Sequence, residues 1–438
     1  MDELFAIDFD WISRDAGDPI ERMTLADLTI TVRRNCLTQL EDRFAKTVRM
    51  SARLSAYALA KWLAWNWWRL RWEPERHSTS WQMSHKIGGA GEGYLWPDAA
   101  FISDGEAVAV ISQPTIGREG QPVRYLNHVV EMIPAVDFEK GVDRFIEAVI
   151  GRLESHAECN RDLKSLWEEV LQERRTPGLA AYRKLEAIMG FDPGDAPDDL
   201  VENLESFQGV CGPSAVEEMA AASMGNAVSD IRKLWDEARP QALEATIPEN
   251  DVLRGKIREE VRPSIFPWHR AAQAAEVSRN TWGLDPGPIS SEVFSDMLGI
   301  RLRALQSQDV SPDIPVTAGF WDTPGSEAIK VHLHRRPSTS RRFALARVVG
   351  ACLDAETPEQ LVPASDAATQ RQKFQRAFAQ ELLCPYADLK EFIGDRAPDD
   401  PIIEDAADYF DVSPLLIKTT LVNKGALDRW VMESDMSG

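Results

Sequence analysis

The chain has 438 residues, with 70 acidic against 49 basic side chains and a formal charge of −21. That length allows two or three domains with sizeable cores, and a hydrophobic share of 44% fits globular chains. The charge argues against broad electrostatic binding to nucleic acid or to an anionic membrane, and leaves room only for a local basic patch.

In chain order, residues 1–137 predict an N-terminal α+β domain that resembles no family. Leu28–Val32 alternates apolar and polar residues as a half-buried strand does, and Thr47–Ser51 is a second short candidate. Ser55–Trp72 predicts a helix carrying Trp62, Trp65, Trp67, Trp68 and Trp72. With Trp81 and Trp96 these make half of the chain's 14 tryptophans. Helical spacing cannot put all five on one face. Most should fill the core, and Trp65, Trp68 and Trp72 are candidate anchors for a protein partner. The glycine-rich stretch Lys86–Tyr94 lacks the Gly-Lys-Ser/Thr ending and the preceding strand of a phosphate loop, so a mobile loop is expected. Ala99–Ser103 and Ala107–Ser112 flank Asp104-Gly105-Glu106, a hairpin signal. Pro97-Asp98 ahead of that hairpin loosely suggests a nuclease pattern. The second strand offers no matching Glu-x-Lys pair, and the converging carboxylates such a site needs are missing.

Residues 138–262 predict a helical domain. Val142, Phe145, Ile146, Val149, Ile150 and Leu153 share one helical face, and Leu163, Leu166, Trp167 and Val170 continue the spacing until Pro177-Gly178 breaks it. Asp192–Asp199 reads as a loop, and Ser214 with Glu217 as a capping box.

Residues 263–438 hold two informative blocks. The first runs Arg-Arg-Phe-Ala-Leu-Ala-Arg-Val-Val-Gly-Ala-Cys-Leu over Arg341–Leu353. The second runs Phe-Gln-Arg-Ala-Phe-Ala-Gln-Glu-Leu-Leu-Cys-Pro over Phe374–Pro385. The pairing resembles the ImmA/IrrE family of metallopeptidases, whose blocks read R-F-x-L-A-H-E-L-G-H and A-N-x-F-A-A-E-L-L-x-P. The preceding segment, from Pro267-Trp-His-Arg-Ala-Ala through Arg279, Gly283-Leu284 and Pro288-Ile289 to Leu298-Gly-Ile300, is also similar to that family. Scaffold positions agree: Arg342, Phe343, Leu345, Ala346, Gly350, Phe378, Ala379, Glu381, Leu382, Leu383 and Pro385.

The resemblance implies a zincin-like helical domain with a small sheet. In an HExxH helix, histidines one turn apart grip zinc, and the intervening Glu takes a proton from the metal-bound water. Here Arg347 stands at the first His position, Val348 at the Glu and Ala351 at the second His. The third ligand's place falls at Gln372 or Phe374. The resemblance therefore implies a pseudo-peptidase with no catalytic residue, no metal and no cofactor. Arg347 lies on an apolar helix, so two readings stay open. It pairs with a carboxylate or carbonyl where the cation would sit, or it snorkels to the cleft edge.

His332 and His334 lie two apart on a predicted strand, Ala328–His334, and share a face with Lys330. A solvated edge strand is expected there. The tail from Ile402 predicts helix, turn, helix, with Ser413 as N-cap, Pro414 at N1 and Gly425 as C-cap. Lys418, Thr419, Thr420 and Lys424 face DNA weakly beside Glu404, Asp405 and Asp408, so ordinary packing is the simpler reading.

The cysteines, Cys36, Cys159, Cys211, Cys352 and Cys384, lack CxxC spacing and suggest reduced thiols in a cytoplasmic setting. The opening Met1–Phe5 lacks the basic and apolar parts of a signal peptide. Leu54–Leu70 is interrupted by Lys61, Asn66 and Arg69, so no membrane partner is expected. The expected fold is α+β and mostly helical. The expected function is a non-catalytic regulatory or scaffolding role through a protein partner. Family membership would imply bacterial stress response, mobile-element control or phage defence. Two alternatives stand. A nucleic-acid-associated role would follow if Arg335, Arg336, Arg341 and Arg342 formed one exposed patch. An enzyme would follow if polar residues converged in an N-terminal pocket.

Overall fold

Alternation and helical spacing resolve into an α+β fold that is mostly helical, with 55% helix against 17% strand in several small antiparallel sheets. The computed structural model describes residues 3–13, 18–117, 120–155, 162–306, 314, 316–334 and 337–427. Cys159, Arg335 and Arg336 lie outside them. The chain divides into two units, Met1–Val201 with Ala368–Gln370, and Glu202–Ala367 with Arg371–Gly438. The helices of the stretch 138–262 are therefore shared between the units, and the division falls within the Asp198–Cys211 helix.

The first unit carries strands β1 (Phe5–Trp11), β2 (Leu25–Val32), β3 (Asn35–Cys36), β4 (Leu40–Asp42), β5 (Thr47–Arg49), β6 (Ala52–Ser55), β7 (Asp98–Ser103), β8 (Ala107–Gln113), β9 (Val123–Tyr125) and β10 (Val129–Pro134). β2 pairs with β1, β3 and β6, while β8 lies between β10 and β7, and β4 between β5 and β9. Leu28, Ile30 and Val32 of β2 are fully buried, as their alternation requires. The β7–β8 hairpin turns on Gly105 at φ +99°. The Ala135–Glu154 helix buries Phe138, Val142, Phe145, Ile146 and Val149 and packs on β1. Gly141 permits that approach, since a Cβ there would lie 2.7 Å from the Phe5 carbonyl oxygen.

The single helix expected over Ser55–Trp72 is two, Ala56–Trp65 and Trp67–Trp72. The Asn66 carboxamide donates to the Trp62 carbonyl at 2.8 Å, a local bond that competes with helix continuation. Pro177 opens a helix, Pro177–Met189, at its first position.

In the second unit a sheet runs in the order β11 (Leu243–Thr246), β13 (Ala328–His332), β12 (Thr317–Phe320), β14 (Leu361–Ala364). β13 is thus an inner strand, correcting the expected edge, because β11 covers its other side. The Ser338–Asp354 helix lies on β14 and β12. The Ser214–Glu217 capping box does not form. Gly212 precedes the Pro213–Ser223 helix, and Glu359 accepts from the Ser214 and Ala215 amides at 3.0 and 2.7 Å instead. The tail forms helices Asp400–Phe410 and Pro414–Asn423, and Ser413 Oγ accepts from the Leu416 amide. Among the described residues, no helix is long and apolar enough to cross a membrane.

Candidate functional site

The Ser338–Asp354 helix is buried on nearly every side, which explains why its sequence lacks an amphipathic stripe. Gly350 faces Phe378 of the Gln370–Leu383 helix; a Cβ there would lie 2.5 Å from the ring. Phe378, Ala379, Leu382 and Leu383 complete that contact as buried residues of the same core. The two sequence blocks are therefore partners in space.

Arg347 projects from this helix with 6% of its surface exposed. Its Nη2 donates to the Ser365 carbonyl and, at 2.8 Å, to Gln372 Oε1. Its Nη1 lies 3.7 Å from Asp366. Gln372 Oε1 also accepts from the Ser365 amide at 2.9 Å. Its Nε2 donates to Glu218 Oε2 at 2.8 Å and to the Pro363 carbonyl at 3.1 Å. Arg347 is thus a paired guanidinium on a carbonyl and a carboxamide, rather than one reaching for solvent. Arg347, at the position of the first histidine ligand, is bonded to Gln372, one of the two places for the third.

Zinc does not fit these side chains. A guanidinium offers only donors, Val348 and Ala351 carry no lone pair, and the Gln372 oxygen is already engaged. Val348 is fully buried and packs toward β12, where a Cβ on Gly319 would meet its Cγ1 at 2.8 Å. Ala351 is half-buried against the same core. Phe374, the other place for a third ligand, is buried beside Phe378. Among the described residues, no three His, Cys, Asp or Glu side chains converge as a metal set.

Arg347 lines a cleft of about 340 Å³ together with Met224, Asp230, Thr317, His334 and Asp366. His332 lines a different cavity, so the His-x-His pair does not converge on one space. Burial, with His334 and Arg341 nearby, pulls the His332 imidazole down to about 4. Arg341 and Arg342 are 4% and 0% exposed, so they form no exposed basic patch. Arg342 pairs with Asp411 at 2.6 Å and donates to the Ile289 and Asp411 carbonyls. In the tail, Lys418 pairs with Asp400 at 3.0 Å, Lys424 lies over the Tyr386 ring, and Thr420 is buried.

In the first unit the three candidate anchors part company. Trp65 is 57% exposed, whereas Trp68 is buried with its Nε1 donating to Glu173 at 2.7 Å. Trp72 lies between the Arg71 and Lys184 cations. Trp68 therefore belongs to the core, and Trp65 alone of the three stands well into solvent. The glycine-rich stretch opens on a 3-10 turn, Ile87–Ala90, and continues as an irregular turn in which Glu92 and Gly93 are exposed. A Cβ on Gly89 would lie 2.2 Å from the Met83 carbonyl and 2.8 Å from Trp62 Nε1. Polar residues do gather in a pocket of about 480 Å³ beside Trp65. They are engaged with one another: Arg69 holds Glu73, Asp192 and Ser80, and Asn66 holds the Trp62 carbonyl.

No family model, curated protein or solved structure matches this chain. Glu218, Ser365 and Pro363 complete the Arg347 network, and Ser365 and Pro363 carried no sequence signal of their own. Glu218 had one faint mark, an acid lying beside Met219 and three residues after Ala215 on an apolar helix face.

Proposed function

We propose that the second unit is a pseudo-peptidase module and that its Arg347 cleft binds a segment of a protein partner without cutting it. The observation that carries this reading is the direct bond from Arg347, at the cleft wall and at the resembling family's first ligand position, to Gln372, one of the two places for its third ligand. The network around it fixes both side chains, leaving a polar cleft with His334, Asp230 and Asp366 at its edges. A buried arginine held by a carbonyl and a carboxamide serves recognition and shape rather than proton transfer, because a guanidinium offers only donors. By the same resemblance the setting is a bacterial cytoplasm, in stress response, mobile-element control or phage defence, and the role is regulatory or scaffolding.

The test is photo-crosslinking in the native host from position 224, where Met224 is exposed and lines the cleft. The expected result is one defined protein adduct that Asp366→Asn weakens with the melting temperature unchanged, since the Asp366 side chain is 73% exposed. An adduct indifferent to Asp366→Asn, or no adduct, would remove the cleft from the function.

A further inference from the structure

A second cavity of the same unit has a lining out of character with the chain. It encloses about 470 Å³ near the end of β13, within the range of small-molecule sites. Arg301, Arg303, Arg341 and His332 line it, and no Asp or Glu does among the described residues. In a chain with 70 acidic against 49 basic side chains, this lining is locally basic.

The groups are also poised for a ligand. Arg341 is 4% exposed and pinned by the carbonyls of Ala304, Leu305 and Leu333. Arg301 and Arg303 are exposed and make no side-chain hydrogen bond or ion pair among the described residues. His332 Nε2 is buried without a hydrogen-bond partner, a state that costs free energy unless something else supplies the bond. Leu243, Val331 and Leu333 add apolar atoms to the same lining.

We infer that this cavity binds a small organic phosphate, its phosphoryl oxygens on Arg301, Arg303 and Arg341 and its uncharged body against Leu243 and Val331. Guanidinium forks match phosphoryl oxygens two at a time, and the apolar atoms suit a flat ring such as a nucleobase. The site stands apart from the Arg347 cleft, so its fate does not depend on the partner-binding proposal.

The experiment is isothermal titration of the full chain with ATP, with inorganic tripolyphosphate, and with a short single-stranded oligonucleotide. The expected result is saturable ATP binding at one site. It should weaken at least tenfold in Arg301→Glu/Arg303→Glu, whose exposed positions leave the melting temperature unchanged, and also weaken in His332→Phe. Tripolyphosphate should bind less tightly than ATP, because it cannot use the apolar atoms. Absence of ATP binding at millimolar concentration, or affinity unchanged in the double variant, would overturn the inference. Oligonucleotide binding without ATP binding would overturn it too, in favour of a strand-binding surface.

Discussion

Two buried arginines of the first unit and two of the second are held in different ways. In the first, Arg69 bonds Glu73 at 2.7 Å and Asp192 at 3.1 Å, and Arg183 bonds Glu173 and Glu186 at 2.6 and 2.7 Å. In the second, Arg279 donates to the carbonyls of Leu382, Asp285 and Gly287, and Arg254 to those of Ala355 and Glu356. Titration follows the same line. Carboxylate bonds outweigh burial and hold Arg69 and Arg183 above their ordinary range, whereas burial pushes Arg279, Arg254 and Arg341 below it. Carboxylates neutralise Arg69 and Arg183, whereas Arg279 and Arg254 rest chiefly on carbonyl dipoles; Arg342 of the second unit, paired with Asp411, follows the first pattern.

That contrast can be broken experimentally. The largest effect belongs to Arg69→Met, which strands buried Glu73 and should cost about 4 kcal/mol in urea unfolding. Adding Glu73→Leu should restore at least half of it, since a matched apolar pair often replaces a buried ion pair without loss. Arg279→Met should cost about 3 kcal/mol, because buried carbonyls lose their donor. Here no second side-chain exchange can rescue, as the acceptors are main chain. Recovery of Arg279→Met by a second substitution would erase the distinction.

A smaller effect comes from His332. Its folded form is held neutral to about pH 4 while the unfolded form takes a proton near 6.5. The unfolded state then binds more protons between those values, so this contribution is whole above pH 6.5 and is lost as pH falls toward 4. His332→Phe should flatten that part of the pH–stability curve by about 1 to 2 kcal/mol. An unchanged curve would mean that His332 is not held neutral.

Much of the fold was readable where one element decided its own shape. The Leu28–Val32 alternation, the Asp104-Gly105-Glu106 turn, the helical face of Val142 to Leu153 and the Ser413 cap all appear as the residues suggest. What escaped was set by partners distant in sequence. Glu359 caps a helix that opens more than a hundred residues earlier and displaces the local Ser214–Glu217 pairing. β11, four residues within a mostly helical stretch, turns β13 from an edge into an inner strand. At the site, the burial of Arg347 followed from its apolar helix. Its bond to Gln372 became visible only once two helices met through Gly350 and Phe378.

The most direct measurement is zinc content after incubation with the metal and gel filtration. It should be made on the full chain and on Arg347→His/Ala351→His/Gln372→Glu. The expected result is no stoichiometric zinc on the unsubstituted chain and zinc retained by the triple variant, whose side chains restore a ligand set on the same helices. One zinc per unsubstituted chain, surviving filtration, would contradict a cleft that binds without cutting and would put a hydrolase in its place.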